Sequence, residues 1–152
     1  MQVKEIMTRK LEVISPKTSV AEAAEIMKAH DVGVLPVCDG DKLVGMLTDR
    51  DIIVRTTADG FHPETVQAGE VMTGDVVYGF EDQEVSEASR IMEEKQIRRL
   101  PIVNRSKRLV GMLSLGDIAV GTGDKELAGE ALKEVSEPAT TKPSLVGNRN
   151  RS

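Results

Sequence analysis

The chain has 152 residues and a formal charge of −5, from 25 acidic and 20 basic side chains. That length suits one domain or two very small ones. The acidic balance, with only two phenylalanines and one tyrosine, argues against a general nucleic-acid binder. No apolar run approaches the roughly 18 residues of a membrane span, and the first residues lack the apolar core of a secretory signal. Because Cys38 is the only cysteine, we expect a cytoplasmic protein without disulfides or a multi-cysteine zinc site.

An internal repeat dominates the sequence. The segment VAEAAEIM at 20–27 recurs as VSEASRIM at 85–92, and LVGML at 43–47 recurs unchanged at 109–113. We therefore divide the chain into two copies of one unit and three further segments. They are repeat 1 at 3–56, a linker at 57–67, repeat 2 at 68–121, a possible C-terminal helix at 122–135 and a disordered tail at 136–152.

In chain order, each copy is predicted to form a strand, a helix, two strands and a second helix. The β-prone runs 11–14 and 75–78 predict the first strands. Apolar residues with helical spacing follow, and Ser19 with Glu22 has the spacing of a capping box. The predicted later elements are strands at 34–37 and 100–103, strands at 42–47 and 108–113, and helices that begin after Thr48 and Ser114. The predicted fold class is α/β, with two βαββα units related by pseudo-twofold symmetry.

Each copy closes with the same motif at its last strand-to-helix junction, GMLTDRD at 45–51 and GMLSLGD at 111–117. A helix N-terminus exposes unpaired N–H groups that favour a phosphate. A Thr or Ser hydroxyl can donate a hydrogen bond, and an Asp carboxylate can accept both hydrogens of a ribose diol. The same Thr/Ser-x-x-Asp spacing also suits simple helix capping. The motif alone therefore leaves a nucleotide site and a structural cap as alternatives.

The doubled unit with this motif resembles the CBS-domain family in its tandem form, the Bateman module. The phrases LPVCDGDKLVGMLTDRDI, QIRRLPIV and GFHPETVQAGEVM are most similar to stand-alone bacterial members related to the hypoxic response proteins. The resemblance implies a non-enzymatic sensor of an adenosyl ligand such as AMP, ADP, ATP, NAD or S-adenosylmethionine, with no obligatory cofactor. It also implies a homodimer that acts on a partner protein, which the sequence does not identify.

The same resemblance implies roles for particular residues. Asp51 and Asp117 would bind ribose, and Thr48 and Ser114 would bind ribose or phosphate. Adenine would lie in a slot whose walls are Ile14, Val34 and Pro36 in the first copy, and Val77, Tyr78, Arg99 and Pro101 in the second.

Arginines distinguish the two copies. Arg50 lies inside the first motif, whereas Arg98 and Arg99 precede the proline strand of the second copy only. A guanidinium presents a fork of donors that suits phosphate, so these arginines are candidate phosphate ligands, with a solvated surface role as the alternative. If only one site is competent, the residues favour the one with Thr48, Arg50 and Asp51.

Other functions have weaker support in the sequence. His30 and His62 are not spaced as metal ligands, and no nucleophile elbow, P-loop or GxGxxG motif is present, so we expect no metal site and no enzyme activity. The main alternative is a ligand-free module for dimerisation or protein docking. Binding of nucleic acid through the basic region from Arg98 to Arg108 is the weakest alternative.

Overall fold

A computed structural model describes residues 1–138, so the predicted disordered tail lies outside the described residues from position 139 onward. The chain forms two compact units. Among the described residues, the repeat-1 unit comprises Leu11–Val76 and Lys107–Leu109, and the repeat-2 unit comprises Met1–Lys10, Val77–Ser106 and residues 110–138. Across residues 1–138, no helix has both the length and the apolar character that a membrane crossing requires.

The repeat-1 unit contains a two-stranded antiparallel sheet flanked by helices. Its elements are α1 (Val20–His30), β1 (Val34–Asp39), β2 (Lys42–Thr48), α2 (Asp49–Ile52), a π-helical turn (Ile53–Thr57) and α3 (Ala68–Val71). The register pairs Val34 with Thr48. The start of β1 therefore lies beside the junction between β2 and α2.

The repeat-2 unit contains a three-stranded sheet in the order β3-β4-β5. Its elements are a 3-10 turn (Val3–Glu5), β3 (Gly79–Phe80), α4 (Val85–Lys95), β4 (Arg99–Val103), β5 (Leu109–Ser114), α5 (Leu115–Thr122) and α6 (Lys125–Ser136). The mixture of small sheets and helices in the two units confirms the predicted α/β fold class.

Each unit has its own apolar core, and each core includes the short segment that opens the other sequence copy. Val3 and Met7 are buried in the core of the repeat-2 unit, together with residues of α4, β4 and β5. Ala68 and Val71 are buried in the core of the repeat-1 unit. Each unit therefore combines most of one sequence copy with the short segment that opens the other.

Helices α1 and α4 end in the same way, but only α1 has a side-chain cap at its start. The Ser19 hydroxyl accepts a hydrogen bond from the Glu22 N–H at 3.1 Å and caps α1, as its spacing predicted. Both α1 and α4 end at a residue in the left-handed conformation, Asp31 and Gln96, each with φ of 52°. A left-handed residue of this kind stops a helix by turning the chain away from its axis.

The predicted first strands are largely wrong. In the repeat-1 unit only Ile14 pairs, through a single parallel bridge to Val37, and residues 11–13 form no strand. In the repeat-2 unit the strand is Gly79–Phe80, parallel to β4, and residues 75–78 lie before it. Pairing with a distant strand, and not the local preference of β-branched residues, decided where each strand forms.

Candidate functional site

The first candidate site lies at the junction of β2 and α2, and we call it the Asp51 site. The Asp51 N–H donates to the Thr48 hydroxyl oxygen at 3.0 Å, and the Thr48 N–H donates to Asp51 Oδ2 at 3.0 Å. This reciprocal pair is a complete capping box. Asp51 is only 3% exposed although it carries a carboxylate. The predicted pair is therefore assembled, and its members restrain each other.

A third side chain joins this junction from the π-helical turn. Arg55 Nε lies 3.9 Å from Asp51 Oδ1, the carboxylate oxygen that the capping box does not use. Arg55 Nη1 also donates to the carbonyl oxygens of Val71 at 3.1 Å and Met72 at 3.4 Å. Sequence reasoning missed Arg55, because its contacts depend on where α3 packs.

The predicted apolar wall lies next to the same junction. The Ile14 N–H donates to the Pro36 carbonyl oxygen at 3.1 Å, and Val34 pairs with Thr48 across the sheet. Ile14 and Pro36 are buried, and Val34 is half-buried. The structure thus gathers Ile14, Val34, Pro36, Thr48 and Asp51 in one region, while Arg50 is exposed on α2.

The second candidate site, the Asp117 site, repeats this junction between β5 and α5. The Asp117 N–H donates to the Ser114 hydroxyl oxygen at 3.0 Å, and the Ser114 N–H donates to Asp117 Oδ2 at 3.0 Å. Here the Thr8 hydroxyl lies 3.3 Å from both carboxylate oxygens and donates to the carboxylate. Asp117 is half-buried, so it is more accessible than Asp51. Sequence reasoning also missed Thr8, which lies far away in the chain.

The predicted arginines of the second site do not share one environment. Arg98 and Arg99 are both exposed, and Arg98 Nη2 donates to the Ser136 hydroxyl of α6 at 3.4 Å. The Arg98 carbonyl accepts the N–H of Leu115, the first residue of α5, at 3.2 Å. The backbone of Arg98 therefore lies at the Asp117 junction, while its side chain contacts α6.

The predicted wall of the second site is displaced along the chain. Pro101 is buried in β4, whereas Val77 and Tyr78 are half-buried and precede β3. The Tyr78 ring meets the Phe80 ring edge to face, with 5.7 Å between centroids. The residue that pairs as Ile14 does is Gly79, whose partner Ile102 is the repeat equivalent of Val37. Thr8 and Thr73 are equivalent residues of the two copies and lie 65 positions apart, and the same offset from Ile14 gives Gly79. The repeat therefore contained the signal that locates Gly79.

The capping boxes leave part of each site's chemistry available. In each box the hydroxyl acts as an acceptor, so its hydrogen remains free to donate. The box also uses Oδ2, so Oδ1 retains lone pairs for further donors. Helix capping and ribose binding are thus compatible roles for the same two side chains.

The remaining titratable candidates lie apart from these junctions. Burial, and to a smaller extent the charge of Asp41, raises the pKa of the Cys38 thiol and disfavours a reactive thiolate. Within the part of the chain that the structure describes, no group of three His, Cys, Asp or Glu residues is placed to hold a metal ion.

The fold and its two junctions define a tandem α/β repeat protein with a Thr/Ser–Asp box in each repeat. The chain belongs to the CBS-domain family, whose model matches residues 3–55 and 68–120. It is 46% identical over 134 residues to the CBS domain-containing protein YhcV of Bacillus subtilis. The aligned region covers 88% of this chain and 94% of YhcV. It is also 38% identical over 117 residues to Hypoxic response protein 1 of Mycobacterium tuberculosis. That aligned region covers 76% of this chain and 81% of the relative. These matches confirm the predicted tandem CBS family and its stand-alone subfamily.

Solved structures with this fold include proteins with bound ligands. Hypoxic Response Protein I with two coordinated zinc ions superposes with a TM-score of 0.72 at 38% identity, covering 78% of this chain and 97% of that one. CBSX2 in complex with AMP superposes with a TM-score of 0.69 at 28% identity, covering 80% and 95%. The CBS domain pair of MJ0100 with 5-methylthioadenosine and S-adenosyl-L-methionine gives 0.69 at 30% identity, covering 81% and 96%.

The chain also resembles part of an enzyme. It is 37% identical over 115 residues to inosine-5'-monophosphate dehydrogenase of Methanocaldococcus jannaschii, but the match covers 75% of this chain and only 22% of the enzyme. CBS repeats therefore occur both as small proteins and as parts of larger ones.

Proposed function

We propose that the chain is a non-enzymatic regulatory module that binds an adenosyl ligand at the Asp51 site, the Asp117 site or both. The observation that carries this proposal is the twice-repeated box, in which a buried or half-buried carboxylate has one oxygen, Oδ1, that the box does not use, beside a hydroxyl whose hydrogen the box does not use. A ribose diol supplies two donors for such a carboxylate. The adenosyl ligands of CBSX2 and MJ0100 support the same ligand class.

In the Asp51 site we assign the ribose to Asp51 and Thr48, and the adenine to the wall formed by Ile14, Val34 and Pro36. We assign a phosphate to Arg50, which is exposed on α2. In the Asp117 site the corresponding residues are Asp117, Ser114, Pro101, Val77 and Tyr78, with Arg98 and Arg99 as the phosphate ligands.

We further propose that a homodimer transmits the signal to a partner protein in the cytoplasm. A ligand shifts a conformational equilibrium only through different affinities for its two states. The Asp117 site offers such a difference, because a ribose diol that binds the carboxylate competes with the Thr8 hydroxyl. Ligand binding there would change the contacts of the N-terminal segment, and the partner would recognise that change.

A thermal-shift panel tests the ligand class. AMP, ADP, ATP, NAD and S-adenosylmethionine are compared with GMP, using protein shown by mass spectrometry to be free of bound ligand. A ligand at 100 times its dissociation constant adds about 2.7 kcal/mol of stability, which corresponds to roughly 5–10 °C for a chain of this size. We expect a shift with at least one adenosyl ligand and none with GMP. A flat panel would contradict the proposal.

One observation favours a second candidate, a module for protein docking that needs no ligand. Ile53 is 61% exposed and Phe61 57% exposed, so the repeat-1 unit presents large apolar side chains to solvent. In that case the capping boxes would only stabilise α2 and α5. The flat panel described above is the result that this candidate predicts.

Nucleic-acid binding has less support, because arginines in the basic region are paired with acids. Arg105 donates to both carboxylate oxygens of Asp82, at 2.7 and 3.0 Å, and Arg108 forms an ion pair with Asp41. These pairs reduce the positive charge available to phosphates along a nucleic acid.

A further inference from the structure

Arg55 is fixed from two sides in the repeat-1 unit. Its Nη1 donates to the carbonyl oxygens of Val71 and Met72, at the C-terminal end of α3, where a cation is favoured. Its Nε lies 3.9 Å from Asp51 Oδ1. The guanidinium is therefore held beside the oxygen that the capping box leaves free.

Asp51 needs a positive charge nearby more than most surface carboxylates do. It is 3% exposed, and a buried carboxylate is costly unless it is paired. At 3.9 Å, Arg55 Nε is too far from Oδ1 for a hydrogen bond. The guanidinium thus offsets the charge of Asp51 while Oδ1 keeps its capacity to accept hydrogen bonds from a ligand.

The repeat-2 unit cannot provide the same arrangement. The residue four positions after Asp117 is Gly121, and a Cβ there would lie 2.5 Å from the side chain of Ile6. Ile6 therefore leaves no room for an arginine at position 121. Asp117 instead accepts a hydrogen bond from the uncharged Thr8 hydroxyl at 3.3 Å.

Because of this difference, and on the basis of the proposed adenosyl function, we propose that Arg55 is a positioning residue that sets the ligand preference of the Asp51 site. It leaves Oδ1 open to the ribose diol and offsets the carboxylate charge that would repel a phosphate. The Asp51 site therefore prefers a phosphorylated adenosyl ligand to unphosphorylated adenosine, and it does so more strongly than the Asp117 site.

The test measures AMP and adenosine binding by isothermal titration calorimetry in an Asp117→Asn parent, in which the Asp51 site is studied alone. Arg55→Gln removes the charge but keeps a donor for the Val71 carbonyl, and Arg55→Lys restores the charge. Lys42→Gln is the matched control, because Lys42 is exposed at the opposite end of β2. That is roughly 20 Å from Thr48 at about 3.3 Å per residue. The thermal midpoint of every variant is recorded.

We expect Arg55→Gln to weaken AMP binding about tenfold and adenosine binding less than about threefold, which is the effect of losing one charge-assisted interaction. Arg55→Lys restores AMP binding to within about threefold, and Lys42→Gln changes neither ligand. Equal weakening of both ligands, no weakening, or no rescue by lysine overturns the proposal. Arg55→Met, which keeps the stem of the side chain, replaces the glutamine variant if that variant does not fold.

Ligand binding by the wild type and by the Asp117→Asn parent distinguishes a failure of this inference from a failure of the proposed function. If the wild-type chain binds neither AMP nor any other adenosyl ligand, the proposed function fails, and the role of Arg55 fails with it. If the parent binds AMP but the Arg55 variants lose no preference for it, only the role of Arg55 is refuted.

Discussion

Replacing Asp51 with asparagine isolates the charge of the carboxylate from its role in capping. The Asn Oδ1 can still accept the Thr48 N–H that Asp51 now accepts at 3.0 Å, so α2 keeps its cap. The ion pair with Arg55 is lost, but its atoms are 3.9 Å apart and Arg55 is 41% exposed. We therefore expect the free energy of unfolding to fall by less than about 1 kcal/mol.

The expected effect on ligand binding is much larger. A hydrogen bond to a charged acceptor contributes about 1.5–3 kcal/mol, and every 1.4 kcal/mol corresponds to about a tenfold change in affinity. Asp51→Asn should therefore weaken an adenosyl ligand at this site by roughly 10- to 100-fold. Asp117→Asn should do the same at the other site. Titration calorimetry on each single variant and on the double variant gives the two affinities separately.

Asp59→Asn is the matched control, because Asp59 is an exposed carboxylate of the same unit outside both sites. It should bind ligand as the wild type does. Unchanged affinity in both single variants and in the double variant would refute the assignment of ribose to the two aspartates. A large loss of unfolding free energy in Asp51→Asn would instead refute the claim that asparagine preserves the cap.

Two further predictions concern stability. A Cβ on Gly111 would lie 2.6 Å from the Met7 sulfur and 3.0 Å from the carbonyl oxygen of Thr8. Gly111→Ala should therefore lower the free energy of unfolding, measured by urea titration, by about 1–3 kcal/mol. Gly74→Ala, with open space around it, should be nearly neutral, and equal costs for the two variants would contradict this packing. Burial, and after it the charges of two glutamates of α6, raise the pKa of Glu93. The stability that protonated Glu93 contributes to the fold is therefore fully present below its unfolded pKa and is lost as pH rises through the higher folded pKa. Glu93→Gln should therefore reduce the loss of unfolding free energy as the pH rises above the unfolded pKa of about 4.3. The exposed neighbour Glu94→Gln is the control, and identical pH profiles for wild type and Glu93→Gln would contradict the prediction.

Local features were predictable from the sequence because they depend on neighbouring residues. Ser19, Thr48 and Ser114 each accept the N–H of the residue three positions later, as their spacing predicted. The repeat likewise located the two carboxylates that share one geometry. The environment of each carboxylate was not predictable, because Arg55 reaches Asp51 only after α3 packs nearby, and Thr8 reaches Asp117 across 109 positions of sequence.

The first strands show that a strong local preference does not by itself predict where a strand pairs. The run DVVY at 75–78 has a strong local preference for strand, yet the chain pairs at Gly79 and Phe80 instead. A Cβ at Gly79 would lie 3.0 Å from Leu100 and 3.2 Å from Ile102. The chain therefore approaches β4 closely at the residue that has no side chain, and the β-branched residues remain outside the pairing.

The duplication explains why two nearly identical boxes can have different roles. Both boxes satisfy the same need at a strand-to-helix junction, so capping alone maintains their geometry. The atom beside Oδ1, the carboxylate oxygen that the box does not use, differs between the two sites: it is a guanidinium nitrogen at Asp51 and a hydroxyl at Asp117. A charged neighbour that leaves the oxygen open favours binding, whereas a neighbour that donates to the carboxylate must be displaced. We therefore expect the Asp51 site to bind ligand more tightly and the Asp117 site to couple binding to movement of the N-terminal segment.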